Sequence, residues 1–153
     1  MTALTYRQAT ETDLPFLDAL IGADEVAAAR DIAPPDNDAQ QLEALRAITA
    51  DSGHELWIVA LEGEDIASFH LSYLPGVSRK GAWRGQIESV RVMPHVRGKG
   101  IGEAMMRWAV KRCEEKGCGV AQLTSDNQRE GAHRFYKRLG YEPTHTGFKM
   151  RLG

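Results

Sequence analysis

The sequence predicts an α/β protein built on a mixed β-sheet, and three observations support this fold class. The run 86–92 has the alternation of a strand and leads through a glycine-rich turn into a long helical pattern. A run of β-favouring residues at 56–61 and an alternating run at 66–74 are separated by a short polar turn, which is typical of an antiparallel hairpin. The run 120–124 follows the long helix, so it should lie parallel to the run 86–92.

The first fifty residues predict one strand and two helices. Leu4 to Ala9 has the character of a strand, and Thr10 to Asp13 supplies the hydroxyl and carboxylate groups that often begin a helix. The first helix follows with an apolar stripe, and a second helix is predicted from Ala39 to Ala50. The range 22–38 between them contains two adjacent prolines and is expected to be irregular.

The remaining elements alternate between strands, helices and loops. A polar loop at 75–84 leads into the central strand, and a short helix after the second parallel strand ends at Gly140. A closing hairpin is then predicted, with strands at 141–146 and 148–152. The complete order is β-α-α-β-β-β-α-β-α-β-β in a single domain that spans residues 1–153.

Composition indicates one soluble domain and excludes several functions. The chain has 153 residues, of which 42% are hydrophobic and 26% are charged, and its net charge is -2. This balance argues against nucleic-acid or membrane affinity. No apolar run approaches the roughly 18 residues of a membrane span, and Met1 to Leu4 shows no signal segment, so we expect a cytoplasmic protein.

The two cysteines and five histidines predict neither a disulfide framework nor a metal site. Cys113 and Cys118 flank the end of the long helix and are expected to be free thiols. No histidine has the spacing to Cys, Asp or Glu that metal ligation requires. We therefore predict no metal.

The glycine-rich turn 97–102 is suited to binding a phosphate group. The first amides of a helix have no partner within it, glycines let a ligand approach the backbone, and the helix dipole adds partial positive charge. The turn sequence, Arg-Gly-Lys-Gly-Ile-Gly, also carries two cationic side chains. It lacks the Ser or Thr that follows the lysine of a Walker loop, and its glycines are too closely spaced for a dinucleotide fingerprint.

Two motifs make the chain resemble the GCN5-related N-acetyltransferase (GNAT) family. Arg97, Gly100 and Gly102 match the family's Arg-x-x-Gly-x-Gly element, which here follows the strand at its usual distance. The stretch 132–141 is similar to the family's A-x-x-[LF]-Y-x-x-x-G-[FY] motif. A weaker similarity covers the opening strand, so the resemblance extends over nearly the whole chain.

This resemblance implies a mostly antiparallel central sheet with a splayed parallel strand pair and helices on both faces. It also implies acetyl-coenzyme A (acetyl-CoA) as the acetyl donor and a primary amine as the acceptor. The diphosphate would bind the backbone amides of the turn, and the pantetheine arm would pair with the strand edge as an extended peptide does. The positions assigned to the cofactor in this way are Val90, Arg91, Val92, Arg97, Gly98, Lys99, Gly100, Ile101, Gly102 and Arg129. Many members carry asparagine at the position of Arg129, which would either reach a coenzyme A phosphate or face solvent.

Tyr136 is the candidate general acid. The thiolate that leaves when an amine attacks a thioester has an intrinsic pKa near 8.5, so a nearby phenol can donate a proton as the bond breaks. The resemblance gives this role to the tyrosine at this place in the second motif. Alternatively, Tyr136 only packs beside Phe135.

Glu88 is the candidate general base. We expect it on the same strand face as Val90 and Val92, partly buried, with a raised pKa and acting through a water molecule. It would otherwise attract a cationic substrate or pair with a basic neighbour such as Arg84. His70 is a second candidate, although a histidine in a strand is more often a hydrogen-bonded or surface residue.

These observations predict an N-acetyltransferase in which the amine of a small molecule or a protein attacks the thioester directly within a ternary complex. The alternative is a non-catalytic acyl-CoA sensor or interaction module that keeps the turn. An unrelated nucleotide binder is disfavoured by the glycine spacing. A homodimer is also possible, because the closing hairpin with Phe148 and Met150 would suit either a dimer contact or a core.

Overall fold

A five-stranded sheet with the strand order β1-β2-β3-β4-β5 forms the centre of the molecule. The structure is a computed structural model that describes residues 3–24 and 38–153. Strands β1 to β4 pair with their neighbours in antiparallel fashion, whereas β4 and β5 are parallel. The predicted mixed sheet is therefore confirmed. The strands are β1 (Leu4–Gln8), β2 (His54–Leu61), β3 (Glu64–Leu74), β4 (Trp83–Val92) and β5 (Cys118–Gln122).

In the described residues a short helical turn spans Ser78–Gly81, and four longer helices accompany the sheet. They are α1 (Leu14–Gly22), α2 (Asp38–Ala50), α3 (Ile101–Glu115) and α4 (Glu130–Arg138). Short 3₁₀ turns at Glu11–Asp13 and Pro94–Val96 precede α1 and the glycine-rich turn. Most of the range predicted to be irregular, 22–38, lies outside the described residues. None of the described helices combines the length and apolar character that a membrane span needs.

The sheet separates two apolar clusters because alternate strand residues point to opposite faces. Trp57 and Val59 of β2 join a large cluster with α3, whereas Ile58 of the same strand joins a small one with Leu45 of α2. Helices therefore cover both faces of the sheet, as the resemblance implied. We call these the α3 face and the α2 face.

Helix α3 packs very closely on β4. A Cβ atom added to Gly85 would lie 2.3 Å from Sγ of Cys113, so the strand and the helix can meet at this distance only with glycine here. Burial raises the pKa of Cys113 to about 12, as expected of a structural rather than a reactive thiol. This contact fixes α3 against the parallel strand pair.

A buried ionic network joins α3 to β2 on the α3 face. Glu55 accepts hydrogen bonds from Arg112 at 3.0 and 2.6 Å and from the Trp57 indole at 3.2 Å. The Tyr73 hydroxyl also donates to this carboxylate. Burial acts to raise the pKa of Glu55, but the hydrogen bonds from Arg112 and Tyr73 outweigh it and hold the pKa below its ordinary value.

The closing hairpin predicted at 141–146 and 148–152 is absent from the described structure. No strand is formed after α4, and Phe148, Met150 and Leu152 are 92%, 84% and 87% exposed. The alternation that suggested a strand is present in the sequence. However, alternation creates a strand only where a neighbouring strand supplies hydrogen-bond partners, and here the segment meets none.

Candidate donor turn and acceptor face

The turn between β4 and α3 presents a row of backbone amides. Gly98 and Gly100 have φ values of 80° and 76°, a region that favours glycine, and Gly100 is the residue immediately before the helix. The first hydrogen bond of the helix runs from the Ala104 amide to the Gly100 carbonyl, at 3.2 Å. In the described residues, the amides from Gly98 to Glu103 have no acceptor, so they are available to a ligand.

Cationic side chains surround this turn in different ways. Arg97 donates from Nε to the carbonyl of Val92 at 3.2 Å and so ties the turn to the end of β4. Arg107 pairs with Glu103 one helical turn away, at 2.8 Å. Lys99 is exposed between the two glycines. The local charge is positive at the helix N-terminus, which favours an anion there.

The pairing of β4 with β5 ends before β4 reaches the turn. Their parallel pairing extends from Trp83, opposite Cys118, to Gln86, opposite Gln122. Beyond Gln86 the far half of β4 is paired only with β3 in the described structure. The edge at Val90–Val92 that the sequence analysis assigns to the pantetheine arm is therefore open toward the gap between β4 and β5.

A β-bulge in β4 alters the predicted faces of the strand. Ser89 has a φ of 53°, and the pairing of β3 with β4 shifts between Ser68 and His70. After the bulge, Val90 and Val92 pack with the large cluster on the α3 face. The prediction that Glu88 shares their face is wrong, because the extra residue reverses the alternation at this point.

Glu88 is also more exposed than expected. Its side chain is 46% exposed, so the predicted partial burial is not found, and its nearest basic partner is Nδ1 of His70, at 3.8 Å, rather than Arg84. Burial lowers the pKa of His70, Glu88 raises it and His54 lowers it, and the pKa lies below the ordinary value overall. His70 is therefore neutral at pH 7 and able to accept a proton.

His54 is a member of this group that the sequence analysis did not identify. Its Nδ1 atom lies 3.1 Å from Nε2 of His70 and 3.1 Å from Oγ of Ser72. The register of β2 and β3 brings these side chains together on the α2 face. This contact could be predicted from the sequence only by assuming the register of the two hairpin strands, because that register is what brings positions 54 and 70 together. Glu88, His70 and His54 thus form a line of titratable groups across three strands, which we call the acid–base line.

A cavity of about 200 Å³ lies beside the acid–base line, between the α2 face of the sheet and helices α1 and α2. Leucine and isoleucine side chains form most of its wall. Polar groups enter it from the sheet at Ser68, His70, Ser89 and Arg91, and from the helices at Asp18 and Gln41. A mostly apolar cavity with a few converging polar groups is the usual form of a small-molecule site.

Tyr136 lies on α4 and contacts the large cluster of the α3 face. Its ring packs edge-on against Phe135 and Tyr141, with ring centroids 5.2 and 5.8 Å away. Burial raises the pKa of Tyr136, while Arg129 lowers it to a smaller extent, so the phenol is protonated at neutral pH. Among the described residues, no side chain or backbone group forms a hydrogen bond with its hydroxyl. The ring packs beside Phe135, as the alternative interpretation of Tyr136 expects. Its hydroxyl is still available to form a hydrogen bond.

The guanidinium groups of Arg91 and Arg129 converge on one carboxylate. Both approach the buried Asp24 at 3.0 Å, although Arg129 is 105 residues away from it in the sequence. Neither alternative considered for Arg129, a coenzyme A phosphate or solvent, describes this arrangement. The two arginines instead link the end of α1 to β4 and to the start of α4.

Fold and site together define the class of protein. It is an α/β protein with one parallel strand pair, and the helix that follows β4 begins with amides that could bind an anion. The model of the acetyltransferase (GNAT) family matches residues 24–141. The chain belongs to this family.

The known proteins similar to this chain include several that are named acetyltransferases and one that is named a transcriptional regulator. Aminoalkylphosphonate N-acetyltransferase of Salmonella typhimurium is 36% identical over 70 residues, which are 46% of each chain. A solved structure of a transcriptional regulator from Bacillus halodurans is 33% identical with a TM-score of 0.90, covering 98% of this chain and 100% of that one. A predicted acetyltransferase from Clostridium acetobutylicum, solved with acetyl-CoA, is 20% identical with a TM-score of 0.74, covering 97% and 96%. The chain spans only 25% to 59% of the length of the curated relatives that it matches.

Proposed function

We propose that this protein transfers an acetyl group from acetyl-CoA to the primary amine of a small molecule or a protein. The observation that carries the proposal is the row of amides from Gly98 to Glu103 beside the open edge of β4. Diphosphate oxygens would accept hydrogen bonds from these amides, and the pantetheine amides would pair with β4. The thioester would then lie in the gap between β4 and β5.

The acceptor amine would approach from the α2 face. The cavity beside the acid–base line opens toward Ser89 and Arg91, which lie on and next to the bulge of β4. A donor on the edge of the strand and an acceptor at its bulge would meet within a few residues of one another. Such positioning of two reactants is the main contribution that this arrangement offers to the reaction rate.

The chemical step needs one group that accepts a proton and one that donates a proton. The amine nitrogen forms a bond to the thioester carbonyl carbon, the bond from that carbon to sulfur breaks, and the thiolate leaves. Glu88 receives the ammonium proton through a water molecule, with the neutral His70 3.8 Å behind it. Tyr136, which is protonated at neutral pH, gives its proton to the thiolate, and the second proton of the attacking nitrogen, released as the carbonyl re-forms, restores the phenol.

The name of the Salmonella typhimurium relative suggests one class of acceptor. An aminoalkylphosphonate carries a primary amine and an anionic phosphonate, and this relative aligns with less than half of the chain. Arg91 lines the cavity and would face the anionic group, although it already forms an ion pair with Asp24. We therefore place aminoalkylphosphonates first in an acceptor screen, followed by polyamines, aminoglycosides and amino acids.

One observation favours a second candidate, a non-catalytic acyl-CoA sensor. The relative that covers almost the whole chain at 33% identity is described as a transcriptional regulator. A sensor would bind acetyl-CoA through the same turn but release no thiol with any amine. Titration calorimetry and a thiol-release assay on the same sample separate these two functions.

The proposed donor site can be tested with Gly100→Glu. The added carboxylate would place negative charge where the diphosphate should bind, so calorimetry should detect no acetyl-CoA binding. Gly117→Glu is the matched control, because Gly117 lies at the other end of α3 with a φ of 81° and nothing within 4 Å of an added Cβ. Equal affinity in both variants would contradict the assignment of the turn.

A further inference from the structure

We propose that the acceptor is a primary alkylamine, whose apolar body fills the cavity between the α2 face of the sheet and helices α1 and α2. This acceptor class rests on the proposed function, because it names the amine of that same reaction. Three features of the cavity support it: an aliphatic wall, polar groups that are mostly paired with one another, and a volume that suits a short chain.

The wall of the cavity is mostly aliphatic. Side chains of α1, α2 and β2 contribute most of it, among them Leu14, Leu17, Ile21, Leu45, Ile48 and Leu56. Burying one methylene group against such a wall improves binding by about fourfold. An acceptor with an apolar body is therefore favoured over a polar acceptor of the same size.

Most of the polar groups that line the cavity already have partners in the described structure. Nε2 of Gln41 donates to the carboxylate of Asp18 at 2.8 Å, so the two polar groups that the helices contribute are bonded to each other. The guanidinium of Arg91 pairs with Asp24 at 3.0 Å. Nε2 of His70 lies 3.1 Å from a ring nitrogen of the other histidine of the acid–base line. A ligand hydroxyl buried here without a partner would weaken binding by about tenfold or more, which disfavours a polyhydroxylated acceptor.

Two further polar groups lie at one end of the cavity, beside the bulge of β4. Ser89 is the bulge residue itself, and the register of β3 against β4 shifts directly after Ser68. Among the residues that the structure describes, neither serine hydroxyl forms a hydrogen bond. Each hydroxyl can therefore bond to the nitrogen of an acceptor. The amine nitrogen would lie at the bulge, and its apolar body would extend toward the helices.

The charges in the wall favour a cationic ligand over an anionic one. Arg91 is the only side chain in the described wall that is positively charged at pH 7, and Asp24 already contacts it. The carboxylate of Asp18 also lines the cavity, and no cationic side chain of the described residues pairs with it. An anionic tail would have to compete with Asp24 and would face Asp18. An alkylammonium ion meets neither obstacle, so the cavity does not favour the anionic acceptor that the relative's name suggests.

The volume of the cavity limits the length of the chain. The cavity measures about 200 Å³, and a water molecule in the liquid takes about 30 Å³, so there is room for roughly six or seven groups of this size. A methylene group is of similar size. We therefore expect hexylamine to be among the best unbranched acceptors.

The first test is a thiol-release assay with acetyl-CoA and unbranched primary amines of three to eight carbons. We expect kcat/KM to rise about fourfold with each added methylene group up to about six carbons and then to level off. Two probes of similar length to hexylamine, 5-aminopentanol and 4-aminobutylphosphonate, end in a hydroxyl and in an anion. For each of them kcat/KM should be at least tenfold lower than for hexylamine. Equal values along the series, or a preference for the phosphonate, would overturn the proposal.

The second test makes the cavity smaller. Ala44→Phe adds a ring at a position of α2 that lines the cavity, so kcat/KM should fall at least tenfold for hexylamine and less than twofold for propylamine. Ala47→Phe is the matched control, because Ala47 is also exposed on this helix but is not part of the cavity wall. The control should leave the whole chain-length series unchanged. An unchanged series in Ala44→Phe, or an equal change in both variants, would show that the amine does not occupy this cavity.

Titration calorimetry separates a failure of the alkylamine class from a failure of the proposed function. If acetyl-CoA binds but no amine releases thiol, the protein is not the proposed enzyme, and binding of the same amines still tests the cavity. The dissociation constant should fall about fourfold per methylene group in the wild type and in Ala47→Phe, and this dependence should end at a shorter chain in Ala44→Phe. Binding that is independent of chain length would show that the alkylamine class is wrong, and turnover in the same sample would leave the proposed function intact.

Discussion

The two faces of the sheet differ sharply in composition, although they share the same strands. Among the described residues, fourteen buried side chains form the cluster on the α3 face, whereas three form the cluster on the α2 face. The α2 face holds the acid–base line and the 200 Å³ cavity instead. The α3 face supplies most of the hydrophobic stability, and this leaves the α2 face able to carry titratable groups and empty space.

Strand β2 contributes side chains to both faces of the sheet. Glu55 and Trp57 point to the α3 face and take part in the ionic network with Arg112, while His54 points to the α2 face and reaches His70. Neighbouring residues in one strand therefore belong to the ionic network on one face and to the acid–base line on the other. Substitutions on the two faces should affect different measurements.

The largest expected effect is a loss of stability from Arg112→Met on the α3 face. The change removes the nearer ionic partner of the buried Glu55 and leaves only Lys116, at 3.8 Å, and we expect the free energy of unfolding to fall by about 3 kcal/mol. Arg107→Met removes an exposed pair from the same helix and should cost less than about 0.5 kcal/mol. Urea titrations measure both, and equal values would contradict a special role for the buried pair.

The pH dependence of this effect has a definite sign. The pKa of Glu55 is lower in the folded protein than in the unfolded chain, so its pairing stabilises the fold above the unfolded-state pKa. This stability is lost as the pH falls through the folded-state pKa. The difference in unfolding free energy between the wild type and Arg112→Met should therefore shrink in acid, and a constant difference would rule out this explanation.

The next effect is on catalysis, from Tyr136→Phe. The ring contacts persist and the proposed proton donor is lost, so kcat should fall about tenfold or more with little change in stability. Tyr141→Phe is the control, because the Tyr141 hydroxyl is buried and has no hydrogen-bond partner in the described structure. Steady-state kinetics of the three proteins with acetyl-CoA decide the question. A similar loss in both variants would point to packing rather than proton donation.

The smallest expected effect concerns Glu88 on the α2 face. Glu88→Gln should lower kcat/KM severalfold and shift the acidic limb of its pH profile, since the proposed proton acceptor is removed. Unfolding should be almost unchanged, because this side chain is 46% exposed. Glu62→Gln, in the exposed hairpin turn, provides the control. If the acidic limb stays in place in Glu88→Gln but moves in His70→Asn, then His70 is the base.

Much of the fold could be predicted because its signals are local. The β-favouring composition of β2, the alternation of β3 and β4 and the glycines before α3 can be read within a few residues. The long helix between β4 and β5 implies that these two strands are parallel. The bulge was missed because Ser89 has a positive φ without being glycine, so its sequence gives no sign of the conformation. The face of Glu88 depended on that single residue.

The remaining features depend on pairings between distant residues. His54 meets His70 only through the register of two strands, and Arg129 meets Asp24 across 105 residues. No local pattern predicts such contacts. The hairpin expected after α4 failed for the opposite reason, because a correct local pattern found no strand beside it.

In the proposed reaction strand β4 serves both substrates, since its outer edge would face the donor and its bulge would face the acceptor. Sliding β4 by one position against β3 would turn every side chain beyond the bulge to the opposite face. Val90 and Val92 would leave the large cluster, and Arg91 would leave the cavity. The register of this one strand would thus keep the two proposed substrates apart, and a slipped chain would be expected to lose binding of both at once.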